Sequence, residues 1–123
     1  MGRDLAAAES AAAAFLSALG LDLSGLGATD TPARMARAYA EMLTPHPFDW
    51  ALFDADGYAG LVLVAGVRFA SLCEHHALPF TGTADIGYLP GEHIAGVSKL
   101  ARLVGEAARR PQIQERMTTQ IAD

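Results

Sequence analysis

The segment GLVLVAGVRFASLCEHHALPFTGTADIGYLP, residues 60–90, contains two strand-like runs separated by a short polar connection. The first run is rich in β-branched and large apolar residues, which predicts a strand from about Leu61 to Leu72. The second run, residues 81–90, alternates apolar and polar positions and predicts a strand that ends at Pro90. Because their connection is short, we expect the two strands to form an antiparallel pair.

The sequence after this pair predicts two helices. Residues 97–110 repeat apolar side chains at helical spacing, and Ser98 lies near the start of the pattern. Pro111 interrupts the pattern, and because proline is well tolerated in the first turn of a helix, residues 111–123 are predicted to form the next one. That helix has no recognisable stop signal in its last residues, which favours a fragment of a longer protein.

The sequence before the pair also predicts two helices. Residues 4–19 are Ala-rich with apolar side chains on one stripe, and the TDTP sequence at 29–32 is typical of the start of a helix, here one that runs to about Met42. Residues 45–60 have no regular pattern and are predicted to form a loop. The order helix, helix, strand, strand, helix, helix indicates the α+β class.

Composition excludes several classes of protein. The 123 residues suffice for one domain, and an apolar content of 51% favours a packed core. A net charge of −5 disfavours nucleic acid as a partner, since binding a duplex needs a basic face. No apolar run reaches the about 18 residues typical of a membrane span. The single cysteine cannot form an intrachain disulfide, so a cytoplasmic location is the simplest interpretation.

The sequence CEHH at 73–76 places the only cysteine beside two of the four histidines. Zinc favours thiolate and imidazole ligands, so Cys73 and His76, three residues apart at a strand end, could bind one metal ion. Glu74 and His75 would then remain for other roles, such as proton transfer by an imidazole. The alternative is that Cys73 is a small buried apolar residue and the histidines are ordinary surface residues.

The basic residues are unevenly distributed. Most of them fall into two groups: Arg34 and Arg37, and then Lys99, Arg102, Arg109, Arg110 and Arg116. Such grouping in an acidic protein indicates either an anion-binding surface or a set of solvated helix faces. The pattern alone leaves both interpretations open.

Three segments together resemble one known family. SLCEHHALPFTGTADIGYLP at 71–90, GVSKLARLVGEAARRPQIQERMTTQIA at 96–122 and TDTPARMARAYAEML at 29–43 resemble GTP cyclohydrolase I, in the same order. The resemblance implies the tunnelling fold (T-fold), in which helices pack on one face of an antiparallel sheet. It further implies an N-terminal helical arm at 1–28 and a partial domain at 29–123, with about two of the four strands.

The resemblance also implies a zinc enzyme. Members of the family hydrolyse GTP at C8 of guanine, release formate and rearrange the ribose to give 7,8-dihydroneopterin triphosphate, the first step of tetrahydrofolate and pterin biosynthesis. By the family pattern, Cys73 and His76 are zinc ligands and His75 is an acid–base residue that handles protons on the purine or ribose. Zinc suits this reaction because it makes water nucleophilic near neutral pH.

The remaining site residues follow from the same resemblance. Gln114 and Glu115 match the positions that hold guanine, whose N1–H and exocyclic amine form a donor edge that a carboxylate accepts. Without the resemblance, Glu115 is better interpreted as an ordinary exposed acid. Ser98, Lys99 and Arg102 match family positions that contact the ribose and triphosphate. Arg34 and Arg37 match basic positions in the upstream helix of the family.

Other family features have no counterpart in this sequence. A third zinc ligand, a second catalytic histidine and two strands are absent, and Cys73 is the only thiol. We therefore expect the 123 residues alone to be inactive, as a fragment of the enzyme. The alternatives are a half-protein that needs a separate partner, or a non-catalytic relative that binds GTP or pterin. Family members are homo-oligomers, commonly decamers, with sites between subunits.

Overall fold

The computed structural model describes residues 2–25 and 27–123, so Met1 and Leu26 of the predicted arm lie outside the described residues. Packing divides the chain into two compact units, Met1–Leu43 and Thr44–Asp123. The first unit therefore contains both upstream helices. The division predicted at residue 28 rests on resemblance, and it stays a prediction.

The first unit is a pair of helices, α1 (Leu5–Ala18) and α2 (Thr31–Met42), which confirms both predicted helices. The side chain of Asp4 caps α1 by accepting a hydrogen bond from the Ala7 N–H at 2.9 Å. Ala12 of α1 and Ala36 of α2 are buried. Small side chains at these positions allow two helix backbones to approach closely.

The second unit mixes strands and helices. Its elements are β1 (Leu52–Asp54), β2 (Val62–Cys73), β3 (Pro79–Tyr88), β4 (His93–Ala95), α3 (Val97–Ala108), β5 (Pro111–Gln112) and α4 (Gln114–Ala122). β2 and β3 pair antiparallel, which confirms the predicted hairpin, and the α+β class is correct. The sheet has the order β3-β2-β5, and β1 pairs separately with β4. Because β5 runs parallel to β2, this sheet is mixed rather than purely antiparallel.

Two predictions about local structure were wrong. The predicted loop at 45–60 contains β1, which pairs with β4 about 40 residues further along the chain, and so has no local signal. Pro111 does not open a helix: it lies opposite Leu72 in β5, and α4 begins only at Gln114. Pairing with the end of β2 keeps this short segment extended, and the preference of proline for a first helical turn is overridden.

A β-bulge keeps one face of the hairpin apolar. The register shifts between Val64 and Val67, where Gly66 adopts a φ of +70° and donates its N–H to the Asp85 carboxylate at 2.8 Å. In a regular strand, residues 64 and 67 would point to opposite faces. The extra residue restores the phase, so that Val67 continues the face that Val64 begins.

The core lies between this face and the two helices that follow it. Val104, Ala107 and Ala108 of α3 and Met117 of α4 are buried together; the partly buried residues packed on them are Val67, Phe69, Ala84, Ile86 and Ile121. The opposite face of the hairpin is exposed, for example at Arg68 and Thr83. The helices thus pack on one face of the sheet, as predicted. Within the described part of the chain, no helix has the length and apolar character needed to cross a bilayer.

Candidate metal and nucleotide site

The CEHH segment forms a tight turn between β2 and β3. The Cys73 N–H donates to the Leu78 carbonyl at 2.8 Å, and the Ala77 N–H donates back to the Cys73 carbonyl at 2.8 Å. Ala77 adopts a left-handed conformation, with φ of +55°. This closure bends the chain within five residues, and it brings side chains that are three residues apart to the same side.

The turn brings the two predicted metal ligands together. The distance from Cys73 Sγ to His76 Nδ1 is 3.8 Å. Thiolate and imidazole donors on one tetrahedral zinc ion lie about 3.6 Å apart, from their bond lengths and the tetrahedral angle. The hydrogen bond from His76 lowers the pKa of the Cys73 thiol, and backbone groups of His76 and His75 lower it further. Separation and donor chemistry therefore both fit zinc.

His75, the predicted acid–base residue, lies on the same turn. Its ring centroid is 6.3 Å from that of His76, with the two ring planes nearly perpendicular at 84°. Its side chain is exposed. An exposed imidazole next to the Cys73–His76 pair can exchange protons with a bound molecule or with water.

Glu74, between the two predicted ligands, forms an ion pair that the sequence did not indicate. Its Oε1 accepts from Arg116 Nη1 at 3.2 Å, and its Oε2 accepts from Arg116 Nη2, so the contact is bidentate. Hydrogen bonds from Arg116 hold the pKa of the Glu74 carboxyl below its usual range, and Glu74 raises the pKa of Arg116. The pair links the turn to α4, whereas the sequence indicated only that Arg116 belongs to the second group of basic residues.

Gln112 is a second residue that sequence reasoning missed. It pairs with Cys73 in β5, its side chain is fully buried, and its backbone carbonyl accepts the Glu74 N–H at 3.0 Å. Gln112 Nε2 donates to the Ala107 carbonyl at 2.6 Å and to Gln120 Oε1 at 2.8 Å. A buried glutamine with these partners fixes the end of β2 relative to both helices. The sequence offered one signal for Gln112: it is a polar residue two positions before Gln114, which was predicted to bind guanine.

The predicted guanine-binding residues begin α4. Gln114 and Glu115 are both exposed in the first helical turn. Gln114 also lines a cleft of about 640 Å³ between β3 and the helices, together with Trp50, Phe80 and Tyr88. No residue of the turn at 73–77 lines this cleft. This cleft and the Cys73–His76 pair are therefore separate features of this unit.

The predicted phosphate-binding residues lie at the far end of α3. Ser98, Lys99 and Arg102 occupy its first two turns. The opposite end of the helix approaches the turn, because Ser71 Oγ donates to the Ala108 carbonyl at 2.7 Å. Ten residues of helix separate Ser98 from Ala108, which corresponds to about 15 Å. The structure does not bring these cations to the turn.

Arg34 and Arg37 belong to the helical unit. Arg34 donates to the Gly27 carbonyl and lies 3.9 Å from the Asp30 carboxylate, so part of its donor capacity serves its own loop. Arg37 is exposed, one turn further along α2. The two arginines are on one face of α2, as the three-residue spacing predicted.

Among the described residues, Cys73 and His76 are the predicted metal ligands that lie close together. Within residues 2–25 and 27–123, no three His, Cys, Asp or Glu side chains are grouped closely enough to hold a metal ion. Structural zinc sites have four protein ligands, and catalytic sites commonly have three. The pair at 73 and 76 therefore offers two of the three or four ligands that a zinc site needs.

Comparison with known proteins identifies the family. The sequence model of GTP cyclohydrolase I matches residues 8–123, nearly the whole chain. The chain belongs to the GTP cyclohydrolase I family. It is 48% identical to GTP cyclohydrolase 1 of Rhodopirellula baltica over 98% of the chain and 54% of that relative. The corresponding protein of Corynebacterium aurimucosum is 49% identical over 94% of the chain and 62% of its own length.

The match to the GTP cyclohydrolase I family extends beyond the motifs that were recognised in the sequence. The recognised motifs began at residue 29, whereas the family match begins at residue 8 and so includes most of α1. A third relative, from Aquifex aeolicus, is 47% identical over 89% of the chain and 60% of its own length. The chain therefore spans a little over half the length of these GTP cyclohydrolase I relatives.

Proposed function

We propose that this chain is part of an enzyme that hydrolyses GTP at C8 of guanine, releases formate and forms 7,8-dihydroneopterin triphosphate. The observation that carries the proposal is the 3.8 Å separation of Cys73 Sγ and His76 Nδ1, on a turn joined by an ion pair to the helix that bears Glu115. Family membership supports the same reaction. The fold proposed for the complete domain is the T-fold.

Gln114 and Glu115 hold the guanine. Both are exposed at the start of α4, where a ligand can reach them. The Glu115 carboxylate accepts the N1–H and the exocyclic amine together, and adenine lacks this pair of donors. A site that pairs both donors rejects adenine because its carboxylate would otherwise be left without partners.

Cys73 and His76 hold a zinc ion, because their donor types and separation fit it. When bound, zinc acts as a Lewis acid that makes water a nucleophile at neutral pH. His75 moves protons at the purine or ribose, a role that its exposed imidazole next to the ligand pair supports.

Ser98, Lys99 and Arg102 bind the triphosphate and ribose, and Arg34 and Arg37 add positive charge. Since the start of α3 lies about 15 Å along that helix from the end near the turn, these cations and the turn need not serve the same active site. Family membership is the basis for proposing a homo-oligomer, a decamer, in which each site uses more than one subunit. The proposed location is the cytoplasm.

The isolated chain is proposed to be inactive. Cys73 is its only cysteine, and the described residues gather no third donor around the pair at 73 and 76. The same observation favours a second candidate, a non-catalytic module that binds GTP or a pterin through α3 and α4. The second candidate requires nucleotide binding that survives chelation of the metal.

Calorimetry with the zinc-loaded chain tests the first proposal. We expect GTP to bind at least about 10-fold more tightly than ATP, and Glu115→Gln to remove most of this preference. Glu92→Gln, at an exposed glutamate before β4, serves as the matched control and should retain it. Equal affinity for GTP and ATP, or a preference that survives Glu115→Gln, contradicts the assignment of the guanine site.

Two further measurements separate the candidates. Formate release from GTP should be undetectable for the chain alone, and turnover comparable to that of a full-length relative contradicts the proposed inactivity. Addition of EDTA should weaken GTP binding if zinc contributes to the site. Unchanged binding after chelation favours the non-catalytic module.

A further inference from the structure

The ion pair between Glu74 and Arg116 lies between two parts of the proposed site. Glu74 is flanked in sequence by Cys73 and His75, and Arg116 directly follows Glu115. The two side chains are joined by a pair of hydrogen bonds across 42 residues of sequence. The groups proposed for metal binding and for base recognition are thus each next to one member of the pair.

A backbone contact accompanies the ion pair. The Glu74 N–H donates to the Gln112 carbonyl at 3.0 Å, and Gln112 is anchored by its buried side chain to α3 and α4. This backbone bond holds the main chain of the turn against β5, but it does not join the turn to α4 directly. A bidentate contact between guanidinium and carboxylate adds two parallel bonds in one plane, which fixes the orientation of the turn relative to α4.

The pair is poorly placed to contribute much to stability. The side chains of Arg116 and Glu74 are 38% and 46% exposed, and exposed ion pairs contribute little to the free energy of unfolding. A bidentate contact that does little for stability, yet connects two parts of one site, points to a role in geometry.

We propose that Glu74 and Arg116 are positioning residues, which set the distance and orientation of the Cys73–His76 pair relative to Glu115. This inference rests on the proposed function, in which both groups act on one nucleotide. Reacting groups must be held close to their productive geometry, and small displacements cost large factors in rate. The ion pair restricts the turn without requiring either residue to contact the substrate.

Amide hydrogen exchange tests the inference without any ligand. In Arg116→Gln the amide of Glu74 should lose about 10-fold in protection, because the turn detaches locally from β5 and α4. The amide of buried Val104 should change less than about 2-fold, since the core remains intact. Arg116→Lys keeps the charge and loses the bidentate contact, so we expect an intermediate loss at Glu74.

Arg110→Gln is the matched control, at an exposed arginine just after α3. It should leave the protection of Glu74 unchanged. Unchanged protection at Glu74 in Arg116→Gln overturns the inference. An equal loss at Glu74 and Val104 also overturns it, because the pair would then support the fold as a whole.

A charge exchange tests the consequence for binding. With zinc present, Glu74→Gln and Arg116→Gln should each weaken GTP binding by about 10-fold, and the double variant Glu74→Arg/Arg116→Glu should recover most of the loss. Without zinc the single variants should have a smaller effect, because positioning matters only when metal and Glu115 act together. If the single variants bind GTP as tightly as the original chain, the positioning role is overturned, whereas the proposed function is unaffected.

The proposed function and the inference fail in different ways. If the unaltered zinc-loaded chain shows no preference for GTP over ATP, both are wrong. If that preference is present and the charge exchange recovers nothing, the proposed function stands and the positioning role is overturned.

Discussion

The turn at 73–77 and the start of α3 contain the two main groups of predicted site residues, and they differ in how firmly the fold holds them. In the turn, Cys73 contacts His76 and Glu74 contacts Arg116. At the start of α3, Lys99 and Arg102 form no side-chain hydrogen bond or ion pair with any residue in the described ranges 2–25 and 27–123. The side chains of the turn thus contact other residues of the protein, whereas the charged side chains of Lys99 and Arg102 remain available to a ligand.

This difference matches what each region is proposed to do. A metal site and a proton-transfer residue need donor atoms fixed within fractions of an ångström. A triphosphate carries charge that acts over longer distances, so flexible cations can bind it without being fixed beforehand. The comparison therefore predicts that changes in the turn alter geometry and metal affinity, and that changes in α3 alter electrostatic attraction.

The largest expected effect is the loss of metal binding. Cys73→Ser and His76→Ala should each lower zinc affinity by at least about 100-fold, because each removes one of only two donors. Competition with a chromophoric chelator measures the affinity. His75→Ala, at the adjacent histidine, should change it by less than about 3-fold. Equal losses for the two histidine variants would contradict the pairing of Cys73 with His76.

The next effect is on stability and concerns the anchor of the turn. Gln112→Ala should lower the free energy of unfolding by about 2–4 kcal/mol, since it leaves a cavity and removes two buried hydrogen bonds. Gln112→Met should cost less, about 1–2 kcal/mol, because it fills the volume and also removes the unpaired Oε1. Urea denaturation followed by circular dichroism measures both. Gln114→Ala is the exposed control, and a loss there as large as at Gln112 would contradict the anchor role.

A smaller effect is expected at the cations of α3. Lys99→Ala and Arg102→Ala should each weaken GTP binding by about 10-fold, because each removes a charge-assisted contact to phosphate. Neither should change the free energy of unfolding by more than about 0.5 kcal/mol. Affinity for guanosine, which lacks phosphates, should be unaffected. If guanosine binding weakens as much as GTP binding, these residues do not act through the triphosphate.

The smallest effect concerns the pH at which Cys73 reacts. A lowered pKa means that the thiolate forms at lower pH than in an unperturbed cysteine, so alkylation by iodoacetamide should begin to rise at lower pH. His76→Ala removes the main cause of the lowered pKa and should shift the rate profile toward higher pH. His75→Ala should leave the profile in place, because His75 acts through its backbone. Identical profiles for all three proteins would show that the hydrogen bond from His76 is absent in solution.

The hairpin and the helices could be predicted from the sequence because their signals are local. Strand-forming residues around CEHH predicted β2 and β3 to within two residues. Apolar periodicity predicted α1 and α3, and the helix-start signal TDTP predicted α2. The bulge was missed, although a glycine inside a strand pattern, Gly66, is a recognised sign of one. β1 and β5 were missed because two- and three-residue strands are stabilised by partners far along the chain.

The candidate site likewise has a part that the local sequence could predict and a part that depends on tertiary packing. The pairing of Cys73 with His76 could be predicted because both lie on one short turn, so local backbone geometry brings them together. Whether the α3 cations reach that turn could not be predicted, because it depends on which end of α3 packs against β2. The contact of Ser71 with the end of α3 decides this, and it places Ser98 at the distal end.

The order of residues alone established the family, the α+β class and the donor types at the turn, since motifs and periodicity are properties of neighbouring residues. Tertiary structure alone decided that Arg116 holds Glu74, that Gln112 is buried beneath the turn and that β5 lies beside β2. The physical reason is that these contacts join residues about 40 positions apart. Only the packing of α3 and α4 against one face of the hairpin brings such residues within bonding distance.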